Sequence, residues 1–245
     1  MHDKVNALIF IAKNKMKKSR DPVHDLGHVL RVVDYVKKFS AEMRLTAAQR
    51  QAVILAAWWH DISRTIPKSP SFFWMTMVDD TVSALMLWFF TIRCGLFGGS
   101  VGIATRIILC KNIGTGAIFT KLLFNKKNRI LVDIVADADS IDMLSQKRTA
   151  AIMKLAEASK MYRFGYRMAI WWVIKTTELH VKTEVARKYL KEMLKSFIAW
   201  VREKIIFDWH VKQFGIKWVE KTLKQVDELL QYISSPNYKS IKAGV

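Results

Sequence analysis

A histidine and an aspartate, His60 and Asp61, stand side by side directly after the apolar stretch LAAWW of residues 55–59. A polar side chain that is buried without a partner costs about 2–7 kcal/mol of lost hydration, and a charged one costs more. The apolar residues before the pair indicate that both side chains enter the protein interior. Other groups of the fold must therefore lie close to this imidazole and this carboxylate.

Three more polar side chains follow a predicted helix start. Asp21 and Pro22 are typical of a helix N-terminus, because aspartate caps the first turn and proline suits it. His24, His28 and Arg31 then lie at positions i, i+4 and i+7, which predicts that they share one face of that helix. A single histidine is more often a structural residue than a ligand, so only the combination is informative.

Carboxylates form a third group of candidates. Asp137, Asp139 and Asp142 occur in VADADSIDM, directly after the apolar stretch ILVDIV. Acidic residues at such spacings most often form a solvated helix face. Their position after an apolar run nevertheless allows one of them to face the interior.

Taken in order, these groups resemble the HD-domain phosphohydrolase superfamily, whose motif is H…HD…D. His28 lies in HVLRVV, the doublet His60 and Asp61 in HDIS, and Asp139 in DADSID. The resemblance covers about residues 20–145. Apolar residues recur at helical spacing along almost the whole chain, which predicts an all-α fold, and the resemblance implies that this fold is an HD-domain-like helical bundle. We expect one domain over residues 1–245, with a C-terminal helical extension over about 146–245.

The resemblance also implies a function, a metal-dependent phosphohydrolase that acts on a phosphate ester, with a nucleotide as the favoured substrate. His28, His60, Asp61 and Asp139 are the expected ligands of one divalent metal ion. Imidazole and carboxylate together suit Mn, Co, Ni, Fe or Zn and also admit Mg. Asp137 is the rival of Asp139, but two residues of helix turn a side chain by about 200°, so only one of them can face the ion.

Asp61, His24 and Arg31 are the residues that we expect to act in catalysis. His24 either contacts phosphate or transfers a proton beside the metal, and the alternative is that it merely belongs to the helix N-terminus. Ser140 stands where a basic residue is common in the superfamily, so Arg64 or Lys111 is expected to supply the positive charge.

Many members of the superfamily carry further histidines between the doublet and the last acid, and these build a second metal site or hold substrate. No histidine occurs between His60 and His180 here, so by this resemblance two-metal chemistry is disfavoured. We interpret His180 and His210 as structural residues, and the pair Trp171 and Trp172 as part of a core.

The charge of the chain supports a different class of function. The formal net charge is +19, from 40 Lys and Arg against 21 Asp and Glu. Residues 66–130 hold eight bases against Asp79 and Asp80. Such an excess favours an anionic partner. The alternative function is therefore a basic helical protein that binds RNA or an anionic membrane surface and in which the HD site is inactive or structural.

The apolar segment 81–105 bears on that alternative. Neither of its halves reaches the about 18 uncharged residues of a membrane-spanning helix, and its glycines lack the Lys-Ser/Thr ending of a phosphate-binding loop. We interpret the segment as a pair of core helices, with insertion into a membrane surface as the alternative. Two cysteines without C-x-x-C spacing fit a reducing compartment. We expect a cytoplasmic protein, either free or peripheral to a membrane.

Overall fold

The computed structural model describes residues 2–68, 78–111, 116–175 and 181–235, and these residues form helices and connecting turns without a strand. The prediction of an all-α fold is confirmed. The helices are α1 (His2–Met16), α2 (Leu26–Glu42), α3 (Ala47–Trp59), α4 (Asp79–Arg93), α5 (Gly99–Lys111), α6 (Gly116–Leu123), α7 (Ile130–Asp142), α8 (Gln146–Ala158), α9 (Lys160–Lys175), α10 (Glu184–Val201), α11 (Lys204–Phe214) and α12 (Ile216–Ser234).

Two compact units divide the chain, Met1–Asp139 and Ser140–Val245. The division falls within α7, three residues before that helix ends. The first unit contains His28, His60, Asp61 and Asp139, and each unit is described by itself below. The single-domain organisation and the HD-type arrangement of the helices stay predictions.

Helix α3 lies at the centre of the first unit, where it packs against α1, α2 and α5. It begins after Thr46, whose hydroxyl accepts a hydrogen bond from the backbone N–H of Gln49, while the Gln49 side chain accepts one from the backbone N–H of Thr46. This reciprocal pair satisfies two donors that a helix start otherwise leaves open. At the other end, the buried indole of Trp59 donates to the carbonyl of Leu8 at 3.2 Å, which ties α3 to α1. These contacts hold both ends of α3 and therefore fix the position of His60, the next residue after the helix.

The start of α2 differs from the prediction. Asp25, not Asp21, caps the helix, and its carboxylate accepts from the backbone N–H of His28 at 2.8 Å. Asp21 instead closes a separate turn, in which it accepts from the backbone N–H of Val23 at 2.9 Å. His24 consequently precedes the helix, and the prediction that it shares a helix face with His28 is wrong. An aspartate caps whichever N–H groups the chain brings to it, and the sequence offered two candidates four residues apart.

Helices α4 and α5 form a packed pair, as the sequence predicted for residues 81–105. On α5, Ala104, Ile107 and Ile108 are fully buried. On α4, however, only one side enters the core, and Trp88 and Phe89 are more than half exposed. Within the described residues, no helix is long and apolar enough to cross a bilayer.

In the second unit, α8 packs on α9 and α12 packs on α10 and α11. His210 of α11 is buried there, with its Nδ1 2.7 Å from the carbonyl of Ile206 and its Nε2 2.7 Å from the hydroxyl of Tyr166. Nδ1 must donate to the carbonyl, so Nε2 accepts from the tyrosine. Phe214 stacks on the Tyr166 ring, with an angle of 8° between the planes. This arrangement agrees with a structural interpretation of His210.

The tryptophan pair shows a further difference from the prediction. Trp171 is 49% exposed, so it does not belong to a core. A tryptophan at helical spacing in an apolar run can face either way, because only the neighbouring elements decide which side is covered. The side chain of Trp172 and all of His180 lie outside the described residues.

We predict that His210 makes the protein less stable in acid. Burial lowers the pKa of His210 below its ordinary value of 6.5. The unfolded chain therefore takes up this proton more readily, and the stability contributed by neutral His210 is present above pH 6.5 and lost as pH falls below it. The measurement is the melting temperature by circular dichroism at about pH 7.5 and about pH 5.5.

His210→Gln removes the titrating group, so the decrease in melting temperature between these two pH values should be smaller in the variant than in the parent protein. An equal decrease in both proteins would contradict the prediction.

Candidate metal centre

His60 caps the C-terminus of α3, and Asp61 follows it before a short 3-10 turn over Ile62–Thr65. Both side chains are buried, with relative exposures of 0% and 3%. The Nδ1 of His60 lies 2.8 Å from the carbonyl of Ala57, an acceptor, so Nδ1 carries the proton. In the neutral ring, the Nε2 of His60 therefore presents a lone pair, which is the form that binds a metal ion.

His28 of α2 meets this doublet, although 32 residues separate it from His60. Its Nε2 lies 3.2 Å from Nε2 of His60 and 3.1 Å from Oδ2 of Asp61. Oδ2 of Asp61 is also 3.3 Å from Nε2 of His60. In spite of this proximity, that oxygen is buried and accepts no well-aligned hydrogen bond from the described residues. Three ligand-type atoms thus converge: the two histidine nitrogens lie at hydrogen-bond distance from each other, and Oδ2 of Asp61 is the atom without a well-aligned hydrogen bond among the described residues.

Asp139 of α7 completes the group. Its Oδ1 lies 3.4 Å from Nε2 of His28, and the ligand atoms of His28, His60 and Asp139 all lie within 4.8 Å of one another. The Asp139 side chain is 21% exposed, so the group is open on this side. Asp137, the rival, is buried two residues earlier on the same helix. The sequence-predicted ligands His28, His60, Asp61 and Asp139 therefore lie together, which we call the four-donor cluster.

Four of the six separations within the four-donor cluster match those between ligands of a small divalent ion. With bonds of about 2.1 Å, adjacent ligands stand about 3.0 Å apart in an octahedron and about 3.4 Å apart in a tetrahedron. The four measured separations run from 3.1 to 3.4 Å. Two imidazole nitrogens and two carboxylate oxygens are donors that borderline divalent ions accept. An ion at the centre would also supply the partner that Oδ2 of Asp61 lacks among the described residues.

The electrostatics of the cluster favour a cation. Burial alone would raise the pKa of Asp61, but the neighbouring His60 and His24 outweigh it and hold that pKa well below its ordinary value. Burial alone would lower the pKa of His60, but the Asp61 carboxylate outweighs it and raises that pKa. The carboxylate thus stays ionised and attracts positive charge, whether a proton on His60 or a metal ion.

Lys111, at the end of α5, supplies a fixed positive charge at the open side. Its Nζ lies 2.7 Å from Oδ2 of Asp139 and 3.6 Å from Oδ1 of Asp80. Burial alone would lower the pKa of Lys111, but Asp139 and Asp80 outweigh it and raise that pKa. Lys111 therefore stays charged and holds one carboxylate oxygen of Asp139 while the other faces His28. Of the two bases expected to supply positive charge, Lys111 is the one that contacts the four-donor cluster directly.

Arg64 has other partners. Its Nε lies 2.6 Å from Oδ2 of Asp79, and its Nη1 lies 3.9 Å from Oδ2 of Asp21. Asp79 also accepts a hydrogen bond from the hydroxyl of Ser63. Burial and the charge of Asp61 raise the pKa of Asp79 to about 7 in spite of Arg64. Arg64 thus neutralises buried carboxylates beside the doublet.

His24 lies next to the cluster from outside the helix. Its Nδ1 is 2.9 Å from Oδ2 of Asp21, and its ring stands edge-on to that of His28 with 5.7 Å between the ring centres. The bond to His24 outweighs burial and lowers the pKa of Asp21. Arg31 extends back to the first turn of α2, where its Nη1 lies 3.4 Å from the point at which a Cβ on Gly27 would stand.

Sequence reasoning did not single out Asp79 or Asp80 as site residues. Asp79 pairs with Arg64 and Asp80 with Lys111, and neither acid belongs to the H…HD…D motif. The pair itself gives only a weak signal, because acids in the first turn of a helix are ordinary.

No protein-family model, curated protein or solved structure matches the chain. The resemblance to the HD-domain superfamily therefore rests on the motif residues quoted above, and the assignment of metal ligands stays a prediction.

We predict that Asp139→Asn lowers metal affinity by at least about 100-fold. Loss of a contact to a ligand already lowers affinity by about 10–100-fold, and this variant removes the charge of the ligand itself. Asp137→Asn is the matched control, since it makes the same change two residues away. Elemental analysis after equilibrium dialysis against Mn, Co, Ni or Zn gives the metal content. Equal metal retention in Asp139→Asn and the parent protein would refute the assignment.

Proposed function

We propose that this protein is a metal-dependent phosphohydrolase that cleaves a phosphate ester, with nucleotides as the favoured substrates. The observation that carries the proposal is the four-donor cluster. Ligand atoms of His28, His60 and Asp139 lie within 4.8 Å of one another, and Oδ2 of Asp61 lies 3.1 and 3.3 Å from the two histidine nitrogens. The nucleotide is proposed from the resemblance to the HD-domain superfamily, because one fold hosts many substrates.

A divalent ion held by these four residues would acidify a bound water and offset the negative charge that grows on phosphate during hydrolysis. The protein's own contribution is to fix the donors. His60 is oriented by its bond to the Ala57 carbonyl, and Asp139 by Lys111. Such outer contacts set the tautomer and direction of each ligand.

His24 is proposed as the proton-transfer residue. Its Nδ1 faces the carboxylate of Asp21, a pairing that fixes the ring and stabilises its protonated form. The proton at Nε2 is then the one that can pass to the oxygen of a leaving group. Arg31, on the same end of α2 as His28, is proposed to contact the phosphate of the substrate.

On the exposed side of the cluster, Lys111 adds a charge that favours an anionic substrate. Its side chain is 12% exposed and its ammonium group sits between two carboxylates, so the charge is partly neutralised in the protein alone. We infer that it acts chiefly as a positioning residue for Asp139.

The test is product formation by the full chain, stripped of metal and reloaded separately with Mn, Co, Ni or Mg, with nucleoside, nucleotide and inorganic phosphate products separated by chromatography. Substrates are nucleoside mono-, di- and triphosphates and cyclic nucleotides. His60→Ala should lose both bound metal and activity, with a decrease of at least about 100-fold, because it removes a ligand.

Asp34→Asn is the matched control on α2, because Asp34 is 60% exposed and pairs only with a lysine of its own helix among the described contacts. It should leave activity unchanged. If the metal-loaded parent protein turns over none of these substrates, the proposal fails and the alternative of an anion-binding protein with an inactive site is favoured.

A further inference from the structure

Helix α4 carries a stripe of large apolar side chains that face solvent. Leu85, Trp88, Phe89 and Ile92 lie at positions i, i+3, i+4 and i+7, and they are 57%, 57%, 53% and 41% exposed. Phe97 continues the stripe in the turn after the helix and is 79% exposed. We call these five residues the α4 stripe.

The helix that carries the α4 stripe is itself firmly packed. The opposite side of the same helix is buried, through Ala84, Leu87 and Thr91. Helix α4 is therefore anchored on its inner side while it exposes aromatic and aliphatic surface on its outer side. Single exposed apolar residues are ordinary, but a contiguous patch of them marks a surface that binds a partner.

Positive charge borders the α4 stripe. The guanidinium of Arg93 lies 5.6 Å from the centre of the Phe89 ring, which belongs to the stripe. Nζ of Lys4, on α1, is 3.8 Å from the point at which a Cβ on Gly95 would stand, in the turn that also carries Phe97. Two elements, α1 and α4, therefore contribute a cation at this end of the stripe.

The sequence around the stripe contains no compensating acid. Residues 81–132 include seven Lys and Arg and no Asp or Glu. Asp79 and Asp80, which precede this segment, already have basic partners in Arg64 and Lys111. A partner that accepts apolar side chains and carries negative charge would complement this surface.

We propose that the α4 stripe docks on the surface of an anionic lipid bilayer. Tryptophan and phenylalanine favour the boundary between headgroups and acyl chains, and the bordering lysines and arginines attract anionic headgroups. Helix α4 would lie in the plane of the interface, which agrees with the finding that no described helix is able to cross a bilayer.

A lipid surface explains the stripe better than single-stranded RNA does. RNA binding by aromatic side chains depends on planar rings on which bases stack. Leu85 and Ile92 offer no such plane, although they account for two of the five side chains. In an interface, aliphatic and aromatic groups are equally buried.

The first experiment is flotation of the full chain with vesicles of phosphatidylcholine alone and of phosphatidylcholine with about one third phosphatidylserine. We expect binding to the second composition only. Binding should weaken as salt rises, because the Debye length falls from about 10 Å at 0.1 M to about 3 Å at 1 M. Arg93→Glu should weaken binding to anionic vesicles by at least about fivefold, the effect of one base near such a surface. Equal binding to both compositions would overturn the proposal.

The second experiment is flotation of a triple variant, Trp88→Ser, Phe89→Ser and Phe97→Ser, which should partition at least about tenfold more weakly. The matched control is Phe164→Ser with Trp171→Ser on α9, whose side chains are 66% and 49% exposed. The control should bind as the parent protein does. Melting temperatures of both variants, measured by circular dichroism, verify that they fold.

Two results of the second experiment would overturn the proposal. These are unchanged vesicle binding by the triple variant and loss of binding in the α9 control alone. His60→Ala should float with anionic vesicles as the parent protein does, so this inference and the proposed enzymatic function succeed or fail separately.

Discussion

Two imidazoles and the Asp61 carboxylate converge inside the first unit with Asp139 beside them, and other buried charges surround this group. A buried carboxylate such as Asp61 is tolerated only beside positive charge or strong donors, since its desolvation costs several kcal/mol. Its Oδ2 lies between two histidine nitrogens at 3.1 and 3.3 Å without a well-aligned hydrogen bond from either. The cluster thus favours a cation, and this is the physical basis for treating it as a metal site.

The carboxylates around the cluster are also placed beside positive charge. Lys111 lies between Asp139 and Asp80, and Arg64 lies near Asp79 and Asp21. Each base is shared by two carboxylates, so the carboxylates around the cluster exceed the fixed positive charges. One more positive charge, on a protonated histidine or a metal ion, brings the group closer to neutrality.

Burial of acids also changes the surface of the protein. Among the described residues, six aspartates are buried, whereas the buried bases are two arginines; the aspartates are Asp21, Asp61, Asp79, Asp133, Asp137 and Asp142. The solvent-facing surface is therefore more basic than the net charge of +19 alone suggests. Helix α4 contributes both to the buried charges and to the exposed surface. Its first turn places acids toward Lys111 and Arg64, and its outer side exposes the α4 stripe.

The sequence by itself determined the helical class and the residue types of the candidate site. Apolar residues at helical spacing are a local property, and so the all-α fold was predictable. The motif phrases likewise singled out His28, His60, Asp61 and Asp139, which the structure brings together. Only the tertiary structure decided where α2 begins, that Lys111 and not Arg64 contacts Asp139, and which side of α4 is covered. Each of those outcomes depends on residues that are distant in the sequence, because a cap, an ion pair or a buried face exists only when packing supplies the second partner.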